Sequence, residues 1–349
     1  MTGSTAPAPG PAAPATAPAT APAAPKGRGL GRRFREAVTA YLVIGALKLV
    51  GHAPERLEYS LAGFAGGISY RLVRSRRDRA RRNLKRVVDW AAANGQGPES
   101  VRAAAGDPKA LEALVRAAFT HHLLGYVEMA RAPRFTTAWV NQRLTVENAA
   151  EVDEWMVPGR SFILVGMHFG ALEVPAVFAV SRLRSIVSPM ESVPNARIQR
   201  YIFETRDTIG IRIVTLQDGA RELLAALRND KAVGIVADRM IAGSGVEVEL
   251  FGAKTKIPAG PVLLAAETGA QIYVSAVRRV GRGHYRGGVI QLDPAEGTSR
   301  KERSRAMARE EARAFEQIII TAPEQWLSLF HPIWPDLEQS AMPQDRNLT

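Results

Sequence analysis

From Arg143 onward, short apolar runs alternate with stretches whose apolar positions recur every three or four residues. Residues 161–167 (SFILVGM), 211–216, 232–237 and 271–278 are brief and rich in Val and Ile, the texture of buried strands. Residues 171–182, 195–208, 219–229 and 261–268 carry helical patterning between them. Alternation of this kind predicts crossover units and an α/β fold: a central, mostly parallel mixed sheet flanked by helices. Residues 246–250 and 254–257, on either side of Phe251-Gly252, read as a hairpin, and residues 300–320 as a late helix.

The first part of the chain reads differently. Residues 109–131 form a helical pattern with Leu111, Leu114, Val115, Ala118, Phe119 and Leu123 on one stripe, after a loop at 95–108. Residues 37–50 (AVTAYLVIGALKLV) are an apolar run of 14, with Lys48 inside it and Arg32, Arg33 and Arg35 before it. A spanning helix needs about 20 apolar residues. A helix lying in the membrane interface with basic flanks is the expectation, and a buried core helix the other reading. Residues 71–86 (RLVRSRRDRARRNLKR) add a second basic stretch of helical character, with Leu72, Val73, Leu84, Val87 and Val88 as its apolar side. Residues 2–25 are almost wholly Ala, Pro, Thr and Gly and hold seven of the 22 prolines, so they are expected to stay disordered. They lack the basic start and early apolar run of a signal peptide. The division this suggests is a tail at 1–29, a helical, basic, membrane-associating region at 30–140, an α/β core at 141–336 and a polar C-terminal tail at 337–349.

Charge sharpens the picture. The net charge is +12, and residues 26–86 hold 16 Lys and Arg against 4 Asp and Glu; the remainder balances at 30 and 30. The basicity is therefore local and calls for an anionic partner there. Anionic lipid fits better than nucleic acid, because the apolar run adjoins the basic one and no aromatic residues or helix-turn-helix pattern accompany it. With no cysteine in the chain, disulfides, thiolate nucleophiles and Cys-ligated metals are excluded. No HExxH, EF-hand or P-loop pattern occurs, so no metal or nucleotide cofactor is expected.

The strand at 161–167 ends at His168, followed by Phe169, Gly170 and, five residues on, Glu173. An imidazole just past a strand end stands in the crevice where α/β sheets bind ligands. Gly170 permits a backbone or a substrate to come close. A strand-to-helix turn would fold Glu173 back onto the imidazole and hold its second nitrogen, as a triad carboxylate does. No G-x-S-x-G elbow is present, so the nucleophile is expected to be the substrate's own hydroxyl, with His168 as general base. A lone His beside a Glu is also compatible with a structural role. His121, His122 and His331 are read as structural.

The stretch GRSFILVGMHFGALEVP resembles the H-x4-D/E block of glycerolipid acyltransferases, in the form used by bacterial lipid A lauroyl/myristoyl acyltransferases. Further blocks follow in order: RRNLKRV at 81–87, Asp238-Arg239, Gly245-Val246-Glu247-Val248, Leu250-Phe251-Gly252, Pro258-Ala259-Gly260-Pro261, Thr268-Gly269-Ala270 and Pro323-Glu324-Gln325-Trp326. The similarity covers residues 30–336. Glu191, Arg206 and the ending Trp334-Pro335-Asp336 resemble the phosphatidylinositol mannoside acyltransferase branch of that family more than its lipid A branch. Met240 departs from the family pattern, standing where Asp is usual.

The resemblance implies a membrane-associated O-acyltransferase of the lysophospholipid acyltransferase superfamily. It would move a long acyl chain from acyl-CoA or acyl carrier protein to a hydroxyl of a glycolipid. By this reading His168 and Glu173 are catalytic, and backbone amides near Gly170 help stabilise the oxyanion. Gly170, Glu191, Arg206, Asp238 and Arg239 bind substrate, with Arg206 or Arg239 on a phosphate. The place of work would be the cytoplasmic face of the plasma membrane, with the protein peripheral or monotopic and anionic lipids as partners. A lysophospholipid acyltransferase, a thioesterase, and a non-catalytic basic protein binding membrane or nucleic acid are the alternatives.

Overall fold

A computed structural model describes residues 30–183, 185–240, 245–293 and 299–339; the tail expected at 1–29, and 340–349 of that at 337–349, lie outside these. The helical region holds α1 (Leu30–Gly51), α2 (Glu55–Leu72), α3 (Arg74–Ala93), α4 (Glu99–Ala103), α5 (Pro108–Arg131) and α6 (Thr137–Arg143). Then come β1 (Leu144–Val146), α7 (Ala149–Trp155), β2 (Phe162–Gly166), α8 (Glu173–Leu183), β3 (Ile186–Met190), α9 (Ala196–Thr208), β4 (Ile211–Thr215), α10 (Leu216–Arg228) and β5 (Val233–Val236). The hairpin β6 (Gly245–Leu250) and β7 (Ala253–Pro258) follows, then α11 (Gly260–Thr268), β8 (Gln271–Gly281), β9 (His284–Gln291), α12 (Arg300–Ile319) and α13 (Pro335–Gln339).

Seven strands form one sheet in the order β1-β9-β8-β2-β5-β3-β4, with only the β8–β9 neighbours antiparallel. The expected α/β class with a mostly parallel mixed sheet is the one adopted. Because β2→α8→β3→α9→β4 runs outward and β4→α10→β5 returns, right-handed crossovers must lie on opposite faces. The pleat agrees. Phe162, Leu164, Ile186, Ile211 and Ile213 pack with Val174, Val177 and Phe178 of α8 in one core. Ile163, Val165, Val187, Val233 and Ile235 pack with Leu223 of α10, Val262 of α11 and Phe315 of α12 in the other.

The basic stretch at 71–86 is not one helix. The chain bends at Val73, so Leu72 ends α2 and is exposed, whereas Ala80, Leu84, Val87, Val88 and Ala91 of α3 sit in the second core. Several of its cations are matched within the protein: Arg81 by Glu112 and Asp78, Arg79 by Glu338, Arg86 by Asp336 and Lys85 by Asp89. The loop at 95–108 contains the short α4. The run at 37–50 lies within α1 and is largely exposed apart from Ala40, so it is not a core helix. It is joined by a stripe on α2, Leu57, Leu61, Phe64, Ile68 and Leu72, all exposed at helical spacing. Among the described residues, no helix is long and apolar enough to cross a membrane. At the other end, α13 brings Leu337 onto the second core, past the boundary expected at 336.

Candidate active site

β2 and β5 are parallel neighbours, with Gly166 opposite Val236. Two residues beyond each, at the C-terminal edge of the sheet, come His168 and Asp238. Asp238 Oδ1 stands 2.7 Å from His168 Nδ1 and also accepts the His168 backbone N–H at 3.1 Å. The imidazole is held at one nitrogen and aligned by the same oxygen. Its side chain is 28% exposed while that of Asp238 is fully buried, so the open edge of the ring is the one carrying Nε2.

Asp238 Oδ2 is occupied as well. Trp326 Nε1 donates to it at 2.8 Å and Ser328 Oγ at 2.7 Å. Burial alone pushes this carboxyl up. The His168 imidazole and hydrogen bonds from His168 and Ser328 overcome that and hold Asp238 well below the usual carboxylate range.

The segment carrying these donors is stitched to the turn after β2. Leu327 N–H donates to the His168 carbonyl at 2.6 Å, and Gly170 N–H to the Gln325 carbonyl at 2.9 Å. Gln325 in turn exchanges two hydrogen bonds with the backbone of Arg279 on β8, each 2.9 Å. Asn83, from the block at 81–87, donates to the carbonyls of Leu329 and His331 and fixes the same segment to α3.

Two expectations are corrected here. The carboxylate on His168 is not Glu173, which instead makes a buried ion pair with Arg206 of α9. Arg206 also lines the cavity, with one guanidinium nitrogen taken up by that pair. Nor do amides around Gly170 serve an oxyanion: those of Phe169, Gly170 and Ala171 already donate to Met167, Gln325 and Val277. Gly170 is required by the backbone itself. Its φ is +52°, and a Cβ there would meet the Val277 carbonyl oxygen at 2.0 Å.

His168 opens into a cavity of about 830 Å³. Its lining includes Leu164, Ala176, Ile186, Ile211, Ile213 and Gly234, from the sheet and α8. It also includes Gly219 and Leu223 of α10, Leu263, Leu264 and Glu267 of α11, and Arg300 of α12. Glu173, Arg206, Glu191 and Arg239 all line the cavity. Arg239 Nη2 is 3.7 Å from Glu191 Oε1, an ion pair without a hydrogen bond, and that oxygen is buried with no partner. His122 and His331, expected to be structural, line it too. Burial, with Arg76 nearby, holds His122 down at about 4; burial, then Arg239 and His168, holds His331 at about 4. Both stay neutral near pH 7. Among the described residues, no cluster of His, Asp and Glu is arranged to hold a metal ion.

Residues 29–335 match the family model described as bacterial lipid A biosynthesis acyltransferase. The chain belongs to that family. This acyltransferase is 26% identical over 291 residues to a phosphatidylinositol mannoside acyltransferase of Mycolicibacterium smegmatis, covering 82% of this chain and 88% of the relative. It is 30% identical over 202 residues to a protein of the same name from Mycobacterium tuberculosis strain CDC 1551 / Oshkosh, covering 56% of this chain and 62% of the relative. In this member of the lipid A acyltransferase family, the sequence pointed to Trp326 only as part of a closing block, and to Ser328 not at all. The missing signal was physical: a strand-end Asp that is to be buried beside a His needs donors for its second oxygen.

Proposed function

We propose that this acyltransferase moves a long acyl chain from a thioester, acyl-CoA or acyl carrier protein, to a hydroxyl of a glycosylated phospholipid of the phosphatidylinositol mannoside type. The observation that carries the reading is an imidazole backed by a buried carboxylate and opening into a long apolar cavity. His168 Nε2 takes the proton of the acceptor hydroxyl as its oxygen attacks the thioester carbonyl carbon. Asp238 fixes the tautomer and stabilises the imidazolium. Collapse of the tetrahedral adduct breaks the C–S bond, and the departing sulfur takes the proton back from His168. The apolar part of the cavity, lined by Leu164, Ile186, Ile211 and Ile213, suits the acyl chain. Arg239, which lines the cavity with Glu191 beside it, is the guanidinium we assign to the acceptor phosphate.

Membrane association follows from α1 and α2. Their exposed apolar side chains, with Arg35, Arg56 and Arg71 among them and Arg74 just beyond at the start of α3, suit the surface of an anionic bilayer at the cytoplasmic face of the plasma membrane. The decisive experiment is steady-state kinetics on purified phosphatidylinositol mannoside and on a lipid A precursor, side by side, with one acyl-CoA. Preference for the mannoside is expected. Preference for the lipid A precursor overturns the acceptor assignment, and release of free fatty acid at one rate with or without acceptor overturns transfer itself.

A further inference from the structure

We propose that Trp326 and Ser328 are positioning residues that set the strength of the His168–Asp238 pair from behind. This inference rests on the acyl-transfer reading for its kinetic consequence, though not for its spectroscopic one. The Asp238 side chain is fully buried. Oδ1 serves His168, and among the described residues Oδ2 takes the indole N–H and the hydroxyl as its donors. Two neutral donors on one oxygen draw charge away from the other and prevent the carboxylate from rotating about its Cβ–Cγ bond. The arrangement keeps the acid ionised while moderating how strongly it pulls on the imidazole proton.

Neither donor is free to wander. The indole of Trp326 is 1% exposed and packs between Phe251 and Trp334, at centroid distances of 6.5 and 6.1 Å. Trp334 is itself anchored by a 3.0 Å hydrogen bond to the Leu250 carbonyl. Ser328 is fully buried in a 3-10 turn, Leu327–Phe330, whose first amide holds the His168 carbonyl. The segment that supplies the donors thus also fixes the backbone of the residue they serve.

Removing one donor has a direction. The carboxylate, still ionised, concentrates more charge on Oδ1 and raises the proton affinity of His168. The other ionisable groups that line the cavity with His168 include Arg239, His331, His122, Glu191 and the Glu173–Arg206 pair, and none of these is changed.

The test uses the full chain with Ser328→Ala, and Trp326→Phe as a second variant of different size. The readouts are the pH profile of kcat/KM and the titration of His168 followed by NMR of labelled histidine. Ser328→Ala is expected to lower kcat about tenfold with acyl-donor KM unchanged, the scale of one hydrogen bond to a charged group. The acid limb and the NMR midpoint should both move up by about half to one pH unit. A residue of packing alone would lower the yield of folded protein and leave both midpoints in place, and that result overturns the proposal. Should the wild-type protein transfer no acyl group while the His168 midpoint still moves in Ser328→Ala, the positioning role stands and the acyl-transfer reading falls. Transfer by the wild type with kcat and midpoint unmoved in both variants sinks the positioning role alone.

Discussion

At the end of β5, Asp238 accepts four hydrogen bonds and faces an imidazole with one open nitrogen. At the start of α8, Glu173 faces the guanidinium of Arg206. Both carboxylates are buried, both pairs border the same cavity, and both carry opposite charges when the imidazole is protonated. They differ in whether the cation can be switched off. A guanidinium keeps its proton throughout the working range, so Glu173–Arg206 is a fixed brace between α8 and α9. An imidazole can take up a proton and give it back, so in the proposed acyl transfer its carboxylate partner stabilises a charge that comes and goes. The proposed catalytic use of His168 rests on that partner and on its opening to the cavity.

The largest effect is expected at the switchable pair. His168→Ala should cut acyl transfer by 10²-fold or more, on the order of what a general base contributes, with the fold retained because the ring is part exposed. Asp238→Asn should approach the same loss, since an amide on Nδ1 favours the wrong tautomer. Turnover near the wild-type value in either variant would remove the distinction drawn above.

At the brace the expected loss is one of stability. Glu173→Gln leaves Arg206 buried without its counter-charge and should cost about 3–5 kcal/mol in denaturant unfolding, while folded enzyme keeps most of its turnover. Replacing both partners, as Glu173→Met with Arg206→Leu, should regain much of that loss. If Glu173→Gln instead abolishes turnover in fully folded protein, the carboxylate belongs to the chemistry after all.

Acid separates the pairs again. Burial, with Arg279 near, holds His121 down at about 3, and His122 and His331 sit at about 4. An unfolded chain takes up these protons from about pH 6.5 downward. The stability that depends on keeping the three rings neutral is therefore complete above about 6.5 and is lost as pH falls toward 4. Asp238, held low, adds a loss of the same sign at still lower pH. Melting temperature should fall from pH 7 to pH 4, and His122→Gln with His331→Gln should flatten the curve; equal slopes in variant and wild type would refute the assignment. The smallest effect is at Arg239 in the cavity lining. Arg239→Lys should raise the acceptor KM several-fold and leave that of the thioester alone, because Lys offers no planar fork.

Much of this was legible along the chain. The runs that became β2 and β5 are apolar on both faces, as buried parallel strands are, and those of β4 and β8 are Val- and Ile-rich. β3 (IVSPM) was hidden by its Ser and Pro. Pro189 is tolerated there because β3 pairs with β5 only at Val187 and the ladder opens toward the cavity beyond it. The glycines of ERLEYSLAGFAGGISYRL concealed α2 and its apolar stripe. His168 could be picked out from a strand end, and Asp238 from another. Their partnership could not, because it depends on which strand lies beside β2, and Glu173 was favoured by nearness in sequence over a residue 70 positions away. Sheet order is long-range information, and local pattern does not carry it.

The C-terminal clasp has a bearing on how the enzyme comes into being. His168 leaves the ribosome long before Trp326 and Ser328, which complete its carboxylate from 88 and 90 residues beyond Asp238. At ordinary rates of synthesis, a growing chain carries the imidazole for on the order of ten seconds before those donors arrive. Through that interval the nascent protein lacks the two donors that complete the carboxylate behind His168. The pocket around Asp238 is therefore among the last parts of the fold that synthesis can finish.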